Sequence, residues 1–140
     1  MILIKTWQEA KQEAYLVRKR VFIEEQGVPV DMELDEFDPT AKHALAYVDS
    51  ECVGTTRLVI LPGNIGRIGR MAVLQAYRRQ GNGRQLLNAL LESCKSQGIT
   101  QLELHAQLSA ISFYEQFGFI AKGEMYYEAG IAHRDMILSI

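Results

Sequence analysis

Arg78, Arg79 and Arg84 flank a glycine pair in the run Arg78-Arg79-Gln80-Gly81-Asn82-Gly83-Arg84. Residue types at this spacing suit a doubly charged phosphate ester. Glycine lets a backbone approach an anion closely, and an arginine fork grips phosphate oxygens in pairs. Residues 66–73 read as a strand before the run, and leucines at helical spacing follow it. A helix beginning there would present unpaired N–H groups at the positive end of its dipole. The combination describes a pyrophosphate cradle. Two other phosphate motifs are excluded. No Gly-Lys-Ser/Thr is present, and a dinucleotide fingerprint would need a third glycine near position 86, which is Leu86. On spacing alone, a glycine-softened turn with solvated arginines fits equally well.

The elements that would hold such a loop follow from periodicity. Residues 2–6 predict a short strand, and Ala10, Ala14, Val17, Val21 and Phe22 recur at helical spacing over about residues 8–22. Gly27 and Pro29 break that pattern. Asp31, Glu33, Asp35, Glu36 and Asp38 then form an acidic loop or short helix closed by Asp38-Pro39. Residues 43–48 and 52–61 predict a hairpin. Behind the glycine loop, Leu86, Leu87, Leu90, Leu91 and Cys94 share one helix face, which Gly98 ends. Residues 101–106 alternate as a strand, and 109–117 predict a short helix with Ser109 as its N-cap. Residues 119–127 and 133–140 form a final antiparallel pair around Ala129-Gly130. The order β-α-α-β-β-β-α-β-α-β-β describes an α/β (α+β) layered domain around a mixed, mostly antiparallel sheet.

Composition bounds the rest. At 140 residues, the chain has the length of one domain, residues 1–140. Hydrophobic residues at 48% and charged residues at 23% exclude a disordered or fibrous chain. A net charge of −2 and a pI near 5.9 favour neither nucleic acid nor an anionic membrane. Cys52 and Cys94 fit no zinc spacing and no redox pair, which points to a reducing compartment. The N-terminus turns polar by Gln8, unlike a signal peptide. No apolar run reaches the roughly 18 residues of a membrane span. A soluble, cytoplasmic protein without a metal is the expectation.

The loop, preceded by its strand from Val73, resembles the coenzyme A loop of the GNAT superfamily of N-acetyltransferases. A second segment, Ala110-Ile111-Ser112-Phe113-Tyr114-Glu115-Gln116-Phe117-Gly118-Phe119, resembles that superfamily's Ala-x-x-x-Tyr-x-x-x-Gly-Phe motif. The element order also matches its fold. Finer features resemble the ElaA/YjcF-like branch: Arg18 through Gln26, Glu36-Phe37-Asp38, His105-Ala106-Gln107 and Gly130-Ile131-Ala132-His133.

The resemblance implies an acyltransferase that moves an acetyl group from acetyl-CoA to an amine on a small molecule or protein, by direct attack through a tetrahedral intermediate. It implies pyrophosphate contacts from Arg78, Arg79, Gln80, Gly81, Asn82, Gly83 and Arg84, mainly through main-chain N–H groups. The pantetheine arm would pair with the backbone of Met71, Ala72 and Val73 as an added strand, and amides there would polarise the thioester carbonyl. Tyr114 holds the position whose phenol protonates the departing thiolate, with packing on the core as its other reading. Gln107 falls where relatives order water near the cofactor. Glu25 and Gln26 would wall the acceptor side. Homodimers are common in the superfamily, although nothing in the sequence specifies an interface.

The proton acceptor is the weak point. An amine with a pKa of about 10.4 is neutral only about once in 2,500 at pH 7, a cost of about 4.6 kcal/mol. Some relatives carry a glutamate on the strand before the loop, but here that stretch is Arg67-Ile68-Gly69-Arg70-Met71. The remaining candidates are Glu25, Asp35, Glu36, His43 and His105, of which His105 has the best-suited ordinary pKa. The acidic segment 31–38 is either a solvated loop or a lure for a cationic amine. Arg67 and Arg70, if turned into the acceptor cleft, would favour an anionic acceptor instead. The missing glutamate also leaves open a module that binds acyl-CoA without turning it over. A nucleotide-binding protein of another fold is the remaining alternative.

Overall fold

The computed structural model describes all 140 residues. Thr6 starts the first helix with a reciprocal cap. Its hydroxyl accepts from the Glu9 N–H, and the Glu9 carboxylate accepts from the Thr6 N–H. This helix, α1 (Trp7–Arg18), follows the edge strand β1 (Ile2–Lys5) and widens into a π-helical segment, Lys19–Glu25. Periodicity placed the helix end near Phe22. The wider turns carry it further, with the Gln26 N–H reaching back to Val21 O at 3.2 Å before Gly27 ends it at φ +73°. π-Helical turns are rare and cluster where a chain must aim side chains at a site.

A short helix, α2 (Val30–Glu33), and a 3-10 turn at Asp38–Thr40 lead into three antiparallel strands: β2 (Lys42–Val48), β3 (Glu51–Leu61) and β4 (Ile65–Val73). Then come α3 (Asn82–Lys95), β5 (Gln101–Gln107), α4 (Ile111–Glu115), β6 (Ile120–Glu128) and β7 (Ile131–Ser139). The seven strands form one sheet in the order β1-β2-β3-β4-β5-β7-β6. Only β4 and β5 run parallel, joined by the α3 crossover that a parallel pair requires. The expected mixed sheet and element order are therefore both present.

Side-chain alternation decides which helix each strand meets. Leu45 packs against Ala10 and Ala14 of α1. Ala44 and Ala46 point the other way and join the core that holds Leu58, Leu86, Leu87 and Leu90. Burying each of those leucines is worth about 1.5–3 kcal/mol, so this core anchors α3 to the sheet. One local expectation fails. Residues Leu108–Ala110 form a 3-10 turn, and α4 begins after Ala110, which has no side-chain cap. Ser109 is not an N-cap.

Within the acidic segment, Glu33, Asp35 and Asp38 are drawn into an ion network, while Asp31 and Glu36 stay exposed. Arg18, buried on α1, donates to Glu33 Oε1 at 2.6 Å and to both Asp38 oxygens at 2.9 and 3.1 Å. Arg57 on β3 donates to Asp38 Oδ1 at 2.9 Å and to both Asp35 oxygens at 2.6 and 2.7 Å. Arg70 adds a bond to Asp35 Oδ2 at 3.1 Å. Three carboxylates thus neutralise three guanidinium groups and tie α1, the 33–38 segment, β3 and β4 together. His43 belongs to the same buried region, with its Nε2 3.0 Å from Asp38 O and its ring 4.8 Å from Trp7. Burial lowers its pKa, and its role is structural.

Burial alone would raise the Asp38 carboxyl, but Arg18 and then Arg57 hold it down, to about 2. A carboxylate with a depressed folded pKa stabilises the fold above its unfolded value, and that contribution disappears as pH falls through the folded value. Urea unfolding should therefore show stability declining from about pH 4 to about pH 2. Asp38→Asn should cost about 3 kcal/mol at pH 7 and flatten that acid decline.

Candidate active site

β4 carries a bulge. Thr55 pairs with Ala72 and Arg57 with Gly69, so Arg70 and Met71 together stand opposite Thr56. Arg70 takes a left-handed φ of +51°, a strained conformation for a residue with a long side chain. The strain is held from two sides. Thr56 Oγ1 donates to Gly69 O at 3.0 Å, and Arg70 Nε donates to Glu33 O at 3.1 Å. The bulge turns β4 away from its neighbour. β4 and β5 pair from Ile65↔Gln101 to Ile68↔Leu104 and no further. From Gly69 to Val73 the β5-facing edge of β4 has no strand partner.

The gap opens into a cleft of about 430 Å³. Met71, Phe113 and Tyr114 line one end; Gln26, Gln107, His105, His133 and Glu128 line the polar wall; Val28, Met32 and Phe37 form the apolar side. Tyr114 is 7% exposed, and burial pushes its phenol up to about 12. Its hydroxyl is not among the sealed polar atoms without a partner, a set that contains only Arg57 Nε. The phenol is a neutral proton donor open to the cleft.

The glycine loop meets the cleft at its Phe113 end. Gly81 is the N-cap of α3 at φ +86°, so Asn82 and Gly83 form the helix's first turn rather than preceding it. No side chain caps that end, which leaves the first-turn N–H groups available to an anion. Asn82 Nδ2 donates to Tyr77 O at 2.9 Å and holds the loop shut behind them. Gly83 lies against the Phe113 ring, so loop and α4 meet. The arginines divide their work. Arg78 donates to Val73 O at 2.8 Å and grips both Glu25 oxygens at 2.6 and 3.0 Å. Arg84 bonds Gln116 and covers the Phe117 ring. Arg79 is exposed, at φ +62°. Two of the three guanidinium groups thus brace the loop.

Glu25 therefore braces the loop through Arg78 and is absent from the cleft wall, unlike the acceptor-side position expected of it. Gln26 does reach the cleft. Its amide exchanges bonds with that of Gln107 at 2.9 and 3.4 Å, which bridges the end of the π-helical segment to the end of β5. Arg67 and Arg70 also line the cleft, but each is occupied. Arg67 bonds Glu103 Oε1 at 2.8 and 3.0 Å, and Arg70 serves the 32–35 segment. Neither marks an anionic acceptor. Glu36 is exposed and Asp35 is committed to arginines, so neither can accept a proton in the cleft.

Sequence reasoning missed Glu128 and His133 as cleft residues. Glu128 Oε1 lies 3.5 Å from His105 Nδ1, and Glu128 Oε2 lies 3.7 Å from His133 Nε2. His105 Nε2 stands 3.8 Å from Asp135 Oδ1. The available signal was the pairing of β6 and β7, which sets His133 opposite Tyr126; the β5–β7 pairing adds Gln107 on its other side. The two cysteines are free and absent from the cleft, and burial pushes both thiols up to about 11. No helix is long and apolar enough to cross a membrane.

The profile of the family described as "Acetyltransferase (GNAT) domain" matches residues 7–140. The N-acetyltransferase YjcF of Bacillus subtilis (strain 168) is 32% identical over 131 residues, 93% of each chain. The crystal structure of Escherichia coli ElaA superposes with a TM-score of 0.87 at 29% identity, covering 98% of each chain. An acyl-CoA N-acyltransferase from Pseudomonas aeruginosa gives a TM-score of 0.87 at 27% identity, covering 98% of this chain and 97% of its own.

A Cβ added at Gly81 would meet nothing within 4 Å, so the requirement there is the sign of φ rather than space. Gly81→Ala should cost about 1–2 kcal/mol in urea unfolding. Gly81→Asn should cost less, because asparagine tolerates the left-handed region. Equal losses from the two variants would contradict this account.

Proposed function

This chain belongs to the GNAT family of acyl-CoA-dependent acetyltransferases, and from that premise we propose that its one domain, residues 1–140, transfers an acetyl group from acetyl-CoA to a primary amine. The observation that carries the proposal is a cleft lined by the unpaired β4 edge at Gly69–Met71 and by Tyr114, with the uncapped start of α3 set against Phe113 of that lining. The β4 backbone at Met71, Ala72 and Val73 receives the pantetheine amides as an added strand. The first-turn N–H groups of α3, with Arg79 beside them, hold the pyrophosphate. Gln107, fixed by Gln26, orders the polar wall next to the thioester.

The reaction then follows from charge. The amine nitrogen attacks the thioester carbon, and backbone N–H groups of the bulged strand stabilise the oxyanion that forms. As the carbon–sulfur bond breaks, Tyr114 gives its proton to the thiolate and is reprotonated from solvent. A thiol with an ordinary pKa of about 8.5 leaves with partial help. Transfer is direct. An acyl-cysteine would need a thiolate in the cleft, whereas both thiols lie elsewhere and are held protonated.

The acceptor's charge follows from the same inventory. Every arginine on the cleft is matched by a carboxylate, while Glu128 has only histidines beside it. A cationic amine suits that balance better than an anionic acceptor. The second reading, a sensor that binds acyl-CoA without turnover, draws on the lack of a carboxylate on β4. Thiol release from acetyl-CoA across a panel of primary amines separates the two, since a sensor would bind the cofactor with no amine-stimulated release.

Tyr114→Phe should lower kcat by about 100-fold and leave acetyl-CoA affinity within about threefold. A change in thermal stability alone would assign Tyr114 to packing. Gly81→Val should weaken acetyl-CoA binding at least about tenfold by calorimetry, because the first-turn N–H groups would lose their alignment. Unchanged affinity would remove the loop from the site.

A further inference from the structure

We propose that His133 is the residue that takes the proton from the attacking amine, with Glu128 set to pair with the imidazolium that results. This inference rests on the acetyltransferase reading above. It comes from the geometry of the polar wall. His133 Nδ1 lies 2.7 Å from Ile131 O, and a carbonyl oxygen can only accept, so Nδ1 carries the ring proton. The lone pair of the neutral ring is therefore on Nε2, the nitrogen 3.7 Å from Glu128 Oε2. An acceptor nitrogen beside a carboxylate is an arrangement completed by one proton.

The ring is also fixed in place. Its side chain is 9% exposed, and it stacks on Tyr126 at 6.0 Å with an interplanar angle of 18°. His133 pairs across β7 and β5 with Gln107. Carrying the β4–β5 register past its last bonded pair brings Gln107 level with Met71, the bulged residue of the β4 edge. His133 thus stands beside the part of the strand that would hold the thioester.

His105 is less suited. Both of its nitrogens face carboxylates, Glu128 and Asp135, and its side chain is 37% exposed. It positions Glu128 from the far side. The groups facing His133 are Glu128 and Tyr126 from β6, His105 and Gln107 from β5, and Asp135 on its own strand; Tyr126 is committed to Asp135 by a 2.6 Å bond. In the balanced step, the amine N–H bond breaks and the Nε2–H bond forms, while the C–N bond to the acetyl carbon is made. The imidazolium then releases its proton to solvent through the open end of the cleft.

Two measurements test this. The first follows kcat/KM against pH, using the best acceptor among spermidine, tyramine, glucosamine and lysine ethyl ester. His133→Gln should lower kcat/KM by about 100-fold and abolish the acidic limb, with acetyl-CoA affinity unchanged. Glu128→Gln should keep the limb and move it to lower pH, because the imidazolium loses its carboxylate. If His105→Gln removes the limb while His133→Gln retains it, the assignment is overturned. The second is nitrogen-15 NMR of the histidine rings, which needs no turnover. It should show the neutral His133 protonated at Nδ1, with its titration midpoint lowered in Glu128→Gln. Protonation at Nε2, or a midpoint indifferent to Glu128, would refute the inference. If no amine is acetylated, the acetyltransferase reading fails, and the NMR result still decides the state of His133.

Discussion

Between Arg57 and Thr55, β4 places both Arg70 and Met71 opposite Thr56 alone, and past that point it no longer pairs with β5. The rest of the site depends on this departure. A strand that stays paired on both sides has no hydrogen-bonding edge to offer, whereas one that leaves its neighbour halfway offers backbone donors and acceptors within a sheet interior. The same divergence makes room for side chains from β5, β7 and the segment after α1. The open main-chain edge and the side-chain-lined cleft therefore share one cause.

A bulge with a left-handed arginine at its centre does not hold itself. A conformation of this kind persists when its surroundings over-determine it, and here the surroundings are the ion network of Arg18, Glu33, Asp35, Asp38, Arg57 and Arg70. Buried ion pairs contribute little net stability, because desolvation opposes their attraction. Their value is geometric. Arg70 reaches Glu33 O and Asp35 Oδ2, and those two residues are in turn fixed by Arg18 and Arg57. Helix, segment and two strands thus share a single arrangement that fits the bulge. The apolar wall of Val28, Met32 and Phe37 is carried on the same segment, so the network also sets the cleft's width.

Much of the fold was legible because its signals are local. The leucine stripe of α3, the hairpin turns and the final strand pair each express a period or a turn residue that needs no distant partner. The glycine loop before α3 was legible for a related reason. Gly81 must sit at positive φ, and a glycine at a helix start is visible in a sequence. The misread parts depended on partners far along the chain. The acidity of residues 31–38 looked like surface because the arginines that neutralise it come from α1, β3 and β4. Glu25 looked like an acceptor wall because its partner, Arg78, is distant in sequence. Glu128 and His133 carried no local signal, since only the β5-β7-β6 strand order brings them to His105.

Under the proposed function, this asymmetry follows from how the two substrates would be held. A cofactor bound by N–H groups constrains backbone dihedrals, and only a few residue types satisfy those, so its site leaves a mark in composition. An amine held by a carboxylate and an imidazole constrains positions in space, which strands from several parts of the chain can supply. The absence of an acidic residue on β4 therefore does not leave the cleft without one. β6 places Glu128 on the wall that β5 and β7 supply with His105 and His133, while Arg67 on β4 is matched to Glu103. The charge that strand lacks is provided across the cleft, and the acceptor would then be approached from the β6 and β7 side.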